Sequence, residues 1–193
     1  MRVAALTGDA LHAALPALAQ LRITIFRAFP YLYEGDMAYE SAYLATFAQS
    51  RDAIIVAAYD DEMIVGCATG SAIDTNHAEI VAPLRNAGAD LRTMFYCSES
   101  VLLPSYRGRG LGHAFFDQRE AHARAAGYKH ACFCAVIRPD DHPRRPRDYS
   151  PLDTFWRARG YAPMPGVVAH LAWKDLDEAA ESPKPMQFWS RTL

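Results

Sequence analysis

Between residues 101 and 113 the chain reads Val101-Leu102-Leu103-Pro104-Ser105-Tyr106-Arg107-Gly108-Arg109-Gly110-Leu111-Gly112-His113. An apolar run, a proline turn, three glycines at alternate positions and the start of a helical pattern follow one another without a spacer. A strand that turns so tightly into a helix presents the helix's first amides outward. Those amides have no internal partners and lie at the positive end of the dipole, so an anion placed there receives several hydrogen bonds at once. Alternating glycines let the backbone approach a diphosphate without Cβ atoms in the way, and Arg107 and Arg109 add local charge. The expected ligand is therefore a diphosphate. A Walker loop is excluded, because Gly112 is followed by His113-Ala114 instead of Lys-Ser/Thr. The dinucleotide fingerprint is excluded too: the glycines do not follow G-x-G-x-x-G, and the next strand, near Lys129, offers no ribose-binding carboxylate.

Around this segment the pattern alternates. A short strand at Arg2 to Leu6 precedes a helix with Asp9 as its N-cap, running through Leu11, Leu15, Leu18, Leu21 and Ile25. Pro30 and Gly35 break it, and Asp36 or Glu40 opens a second helix that ends near Gln49. Ala53 to Tyr59 and Met63 to Ile73, joined by Asp60-Asp61-Glu62, read as a hairpin. Ala78 to Ala87 reads as a short helix and Leu91 to Leu103 as one extended run stopped by Pro104. From Gly110 the residues Leu111, Phe115, Phe116, Ala121 and Ala125 recur at helical spacing up to Gly127. Ala131 to Ile137 is then a buried strand, so strand, helix and strand form a crossover. Pro139 to Pro151 is a loop, Leu152 to Arg159 a short helix stopped by Gly160, and Val167 to Trp173 the final strand.

The 193 residues suit one domain, 1–193, with 174–193 as a C-terminal tail. The tail's Pro185-Met186-Gln187-Phe188-Trp189 is too apolar for water, so it docks on its own domain or on a second copy, the latter making a homodimer. With 20 Lys+Arg against 22 Asp+Glu, no general positive field recruits nucleic acid or an anionic membrane. Met1 to Leu6 reaches Gly8-Asp9 before a signal core forms, and no window approaches a membrane span, so the expected location is the cytoplasm. Four cysteines are too few for a disulfide scaffold, and Cys132-x-Cys134 lies in a strand, where buried thiols are expected and no metal site.

The loop, matched by Arg107, Gly110 and Gly112, resembles the Arg/Gln-x-x-Gly-x-Gly/Ala coenzyme A loop of the GCN5-related N-acetyltransferase (GNAT) family. The preceding strand with Pro104 and Tyr106, the helix through Gly127-Tyr128, and Phe155-Trp156 followed by Gly160-Tyr161 extend the resemblance over roughly residues 53 to 173. It implies an α/β (α+β) fold whose central mixed, mostly antiparallel sheet is splayed at the acyl-coenzyme A site and flanked by helices. It also implies acetyl-CoA as co-substrate, with no metal. The backbone of Arg107, Gly108, Arg109, Gly110, Leu111, Gly112 and His113 would hold the pyrophosphate, and the edge of Val101, Leu102 and Leu103 the pantetheine arm.

Acetyl transfer to an amine requires a group that takes the proton of an ammonium whose pKa is roughly 10. Glu99 is the one carboxylate in the run Tyr96 to Val101, and burying it is costly without a task or a partner. We assign it as general base acting through water; an outward-facing Glu99, or one paired with an arginine such as Arg92, is the alternative. Strand alternation groups Glu99 with Val101 and Leu103, and Ser98 with Ser100, unless a bulge intervenes. Where the family often has an acidic Tyr, this chain has Trp156, whose indole is no useful acid. Tyr149 is the substitute candidate, and His142 and His113 are further titratable groups nearby. Arg138, Arg144, Arg145 and Arg147 read as a grip on the coenzyme's 3′-phosphate, as a reader of an acidic acceptor, or as a solvated loop. Phe26, Phe29, Tyr31, Tyr33, Tyr39 and Tyr43 fall on the family's acceptor side. The acceptor is a small-molecule or peptide amine; O-acylation and longer acyl donors are left open. A non-catalytic acyl-CoA sensor is the alternative, motivated by Trp156.

Overall fold

The computed structural model describes residues 1–193. In chain order the elements are β1 (Arg2–Leu6), α1 (Gly8–Phe26), α2 (Met37–Phe47), β2 (Ile54–Asp60), β3 (Met63–Ala72), α3 (Ala78–Asn86), β4 (Met94–Leu102), α4 (Leu111–Ala125), β5 (His130–Val136), α5 (Asp153–Ala158), β6 (Ala162–Trp173) and β7 (Ser182–Thr192). The strands form one seven-stranded sheet in the order β1-β2-β3-β4-β5-β7-β6. Only β4 and β5 run parallel, as the intervening α4 requires.

Helices α1 and α2 cover one face of β2, β3 and β4, where Leu18, Leu21, Leu44, Ile55 and Val101 form a core. On the other face α4 buries Leu111, Phe115, Phe116 and Ala123 against Val56, Phe95 and Phe133. Helix α3 packs Ile80 and Leu84 on the sheet's C-terminal half. Asp36 caps α2 as its sequence predicts, accepting from the Tyr39 amide at 2.9 Å. Helix α1 begins one residue before Asp9, with Thr7 at the N-cap, so Asp9 sits in the first turn, where its charge still favours the dipole. The β2–β3 turn is the two residues Asp61 and Glu62, with Asp61 at φ 49°.

Two expectations are corrected. Residues 91–93 are a turn of 3-10 helix and not strand, because the Asp90 side chain accepts from the Arg92 amide and guanidinium. The segment expected as a tail contains β7, which lies between β5 and β6 and pairs with both. Its two prolines disguise a central strand. The Pro185 carbonyl accepts from the Ile137 amide at 2.8 Å, so the missing N–H of Pro185 lies on the side where β5 has already ended. The β6 ladder therefore loses nothing.

Candidate active site at the strand splay

Strands β4 and β5 pair only over Met94–Tyr96 and His130–Cys132, although β4 runs on to Leu102 and β5 to Val136. Beyond Tyr96 the strands part, which leaves one edge of β4 free. A bulge lies at the same point: Thr69 pairs with Glu99 but Ser71 with Tyr96, so β4 carries an extra residue opposite Gly70. Gly70 is required there, since a Cβ would fall 2.5 Å from Cε1 of Phe95. Without the extra residue, Phe95, Cys97, Glu99 and Val101 would share one face. Instead Phe95 and Cys97 pack on the α4 side, while Val101 packs with the α1–α2 side and Glu99 reaches Arg22 of α1. Arg119 of α4 fastens the bulge, donating to the carbonyls of Thr69 (3.1 Å) and Glu99 (2.9 Å) and to Ser100 Oγ (2.9 Å).

The end of β4 leads into the glycine loop. Val101 is buried, Leu102 and Leu103 half-buried, and the Leu103 amide donates to the Val65 carbonyl at 2.9 Å. One 3-10 turn, Pro104–Tyr106, follows, with the Tyr106 hydroxyl donating to Asp60 Oδ2 at 2.8 Å. Gly108 (φ 74°) and Gly110 (φ 81°) occupy the left-handed region that L side chains avoid. None of the amides from Gly108 through His113 donates to a backbone carbonyl, and α4 begins immediately after Gly110. Arg107 and Arg109 stand exposed beside these amides, the Arg109 guanidinium 5.2 Å from the centre of the Tyr106 ring. This is an exposed cradle of donors with added positive charge, suited to a diphosphate. Leu111 is buried beneath it, a Cβ on Gly112 would lie 3.5 Å from the Phe155 ring, and His113 stacks edge-on against Phe155 with Nδ1 3.2 Å from Arg159 Nη1.

On the α1–α2 face, Glu99 ion-pairs with Arg22, and Arg22 also ion-pairs with Glu40 of α2. The three side chains are 11%, 8% and 1% exposed respectively. Burial opposes the Arg22 charge, but Glu99, Tyr43 and Glu40 outweigh it and hold the guanidinium above its ordinary value. Two carboxyl groups thus share one guanidinium.

The acetyltransferase (GNAT) family model matches residues 18–146, from within α1 through β5 and into the following loop. The chain belongs to the GNAT acetyltransferase family. Solved structures with the same fold include a ribosomal-protein-alanine N-acetyltransferase from Brucella melitensis (13% identity, all of both chains, TM-score 0.64). An aminoglycoside 6′-N-acetyltransferase complexed with coenzyme A is 14% identical over all of this chain and 97% of that one, with TM-score 0.63. A phosphinothricin acetyltransferase from Sinorhizobium meliloti, in complex with acetyl-CoA, is 17% identical over all of this chain and 89% of that one, with TM-score 0.62. No curated protein matches the sequence.

In this GNAT protein Tyr149 lies in the loop after β5, its ring edge-on to Phe29 at 4.7 Å and 5.0 Å from the Arg145 guanidinium. Burial and Asp153, partly offset by Arg145, raise its phenol. His142 also packs on Phe29, at 5.5 Å. Trp156 packs on Phe133 (4.9 Å) and Trp189 (5.2 Å), a core role with no acid in it. The Gly160-Tyr161 step closes α5, with Gly160 at φ 83° and the Tyr161 hydroxyl donating to Glu120 Oε1 at 3.1 Å.

The arginines of the β5–α5 loop are mostly engaged within the protein. Arg138 is buried against Asp175 (2.7 Å) and donates to the carbonyls of Pro30 and Tyr31. Arg145 pairs with Asp140 and Arg144 with Asp177, while Arg147 has no ion pair. Glu99 does pair with an arginine, as the alternative reading expects, but the partner is Arg22; Arg92 pairs with Asp90. Sequence reasoning missed Arg22 and Glu40, although a signal exists. Arg22 stands four residues from both Leu18 and Phe26, and Glu40 four from Leu44 and seven from Phe47, so both charges fall on apolar helical stripes. The structure holds no group of three or more His, Cys, Asp or Glu placed to bind a metal, and no helix long and apolar enough to cross a membrane.

Proposed function

We propose that the protein transfers the acetyl group of acetyl-CoA to a primary amine of a small molecule or peptide, by direct attack in a ternary complex. One observation carries this reading: the free amides of Gly108–His113 and the buried carboxylate of Glu99 lie on a single continuous segment, where β4 has lost β5 as partner. Acetyl-CoA supplies an activated thioester. The loop amides with Arg107 and Arg109 bind its pyrophosphate, and the free edge of β4 at Val101 to Leu103 aligns the pantetheine arm as an added strand would. Glu99 takes the ammonium proton, directly or through water, and the two carboxyl groups that share Arg22 favour entry of a cation. Tyr149 protonates the leaving thiolate. No covalent cysteine intermediate enters, because burial raises the Cys134 thiol to about 11 and burial with Glu99 raises Cys67 to about 12. All four thiols are free, which suits a reducing cytoplasm.

The test is release of free thiol from acetyl-CoA across a panel of amines. Glu99→Gln is expected to lose turnover by roughly 100-fold or more while retaining coenzyme affinity. Arg107→Ala, which removes a charged donor, and Gly110→Asp, which adds strain and a like charge at the anion site, are expected to weaken coenzyme A binding by about tenfold or more in calorimetry. Unchanged affinity in both variants removes the basis of the reading. A second reading, a sensor that binds acyl-CoA without turnover, is favoured by one observation: Trp156 is committed to packing where the family often has an acidic Tyr. Tight binding with no thiol release on any amine would establish it.

A further inference from the structure

Resting on the reading of Glu99 as base, we propose that Arg22, shared with Glu40, is a positioning residue that holds the Glu99 carboxylate in one orientation at the strand splay and favours its charged form. The geometry is a three-element clamp. Arg22 projects from α1, Glu40 from α2 and Glu99 from β4, and the guanidinium uses Nε toward Glu40 and Nη1 toward Glu99. Its plane is confined by aromatic rings: Tyr43 lies 4.5 Å and Phe26 5.1 Å from the guanidinium carbon. A side chain paired on two edges and flanked by two rings has little freedom, so it passes its own fixed position on to Glu99.

The charges around Glu99 single out this clamp. Arg22 of α1 pairs with it and with Glu40 of α2, and Tyr43 of α2, Tyr31 of the α1–α2 connection and Cys67 of β3 lie within its electrostatic reach. Arg119 approaches from α4, but its bond is to the Glu99 carbonyl. The two phenols and the thiol are neutral groups that burial keeps protonated. Arg22 is therefore the one cation at the carboxylate and Glu40 the one competing anion. Without Arg22 two buried carboxylates would face each other and one would take up a proton. With Arg22 serving Glu99 alone, the base would be fully neutralised by its partner. Shared with Glu40, Arg22 compensates the Glu99 carboxylate only in part. As a stability device the cluster is poor, since apolar side chains of similar volume would do as well in such a site.

The experiment is the pH profile of kcat/KM, with coenzyme A affinity and thermal melting measured alongside. Arg22→Gln is expected to move the acid limb toward higher pH by about one unit or more, a loss of about tenfold at a fixed pH on that limb. Arg22→Lys is expected to return it most of the way. Adding Glu40→Gln to Arg22→Gln removes the second carboxylate and is expected to bring the limb back down. Should Arg22→Gln not fold, Glu40→Gln alone is expected to shift the limb toward lower pH, because Arg22 then serves Glu99 only. A limb that stays in place while only the plateau falls, with Glu99→Gln still inactive, would overturn the positioning role and leave the base reading standing. Full turnover in Glu99→Gln would instead sink the base reading itself.

Discussion

Single residues at this site act through backbone conformation and charge state. Gly108 and Gly110 adopt positive φ values that free the following amides, and an alternating glycine pattern announces this locally. That is why the loop with its free amides is legible from the sequence alone. Glu99 was legible as an oddity, a carboxylate in an apolar strand, but its partner was not. Nothing near it in sequence marks Arg22, because the pairing is made by helix α1 lying across β4. The cysteines give a prediction at this scale. Burial raises Cys134 to about 11 and Cys67 to about 12 from an ordinary value of 9.0. In the native protein at neutral pH a thiol reagent such as an aromatic disulfide is therefore expected to label none of the four, and denaturant is expected to expose all of them. The folded values lie above the unfolded ones, so these groups favour the fold fully below the unfolded value. That contribution is lost as pH rises through the folded values, and unfolding midpoints are expected to fall between about pH 9 and pH 12.

Between elements, the α1–α2 connection is tied down by Arg138. This one side chain, at the end of β5, donates to the carbonyls of Pro30 and Tyr31 and pairs with Asp175 after β6, tying the α1–α2 connection to two distant segments. From the sequence it reads as part of a basic loop that grips a phosphate, reads an acidic acceptor or is simply solvated. A run of arginines reads the same whether it is solvated, ligand-binding or buried; burial is a property of what folds over it. Replacing Arg138 with Met leaves the Pro30 carbonyl unpaired, the Tyr31 carbonyl with the Trp173 indole alone, at 3.0 Å, and Asp175 with Lys184 alone, at 3.7 Å. A loss of about 3 kcal/mol in urea denaturation is expected. Arg145→Ala, whose partner Asp140 is fully in solvent, is expected to leave the midpoint unchanged. The same contrast between local and tertiary information explains β7. Pro183 and Pro185 are strand breakers by local rules and are tolerated because their missing donors face the side where β5 has ended.

Across the whole molecule, β7 joins the two ends of the chain's logic. It pairs with β5 along the length of that strand and with β6 on its other side, and Phe188 and Trp189 fill the core on both faces of the sheet. Ending the chain after Lys174 would strip both ladders and expose Cys132, Cys134 and Phe133. Such a truncated chain is expected to be insoluble or, by circular dichroism, without a cooperative thermal transition. By itself the sequence determined the strand–loop–helix cradle, the hairpin, the crossover and the family, because each rests on local backbone preference or on a pattern read within a few residues. Only the tertiary structure decided which face Glu99 takes, since one extra residue opposite Gly70 inverts the alternation of β4. It alone decided that Arg22 and Glu40 share that face with Glu99, and that the apparent tail is an inner strand. Those outcomes depend on which distant segments exclude water together, and that is settled by packing and not by neighbours in sequence.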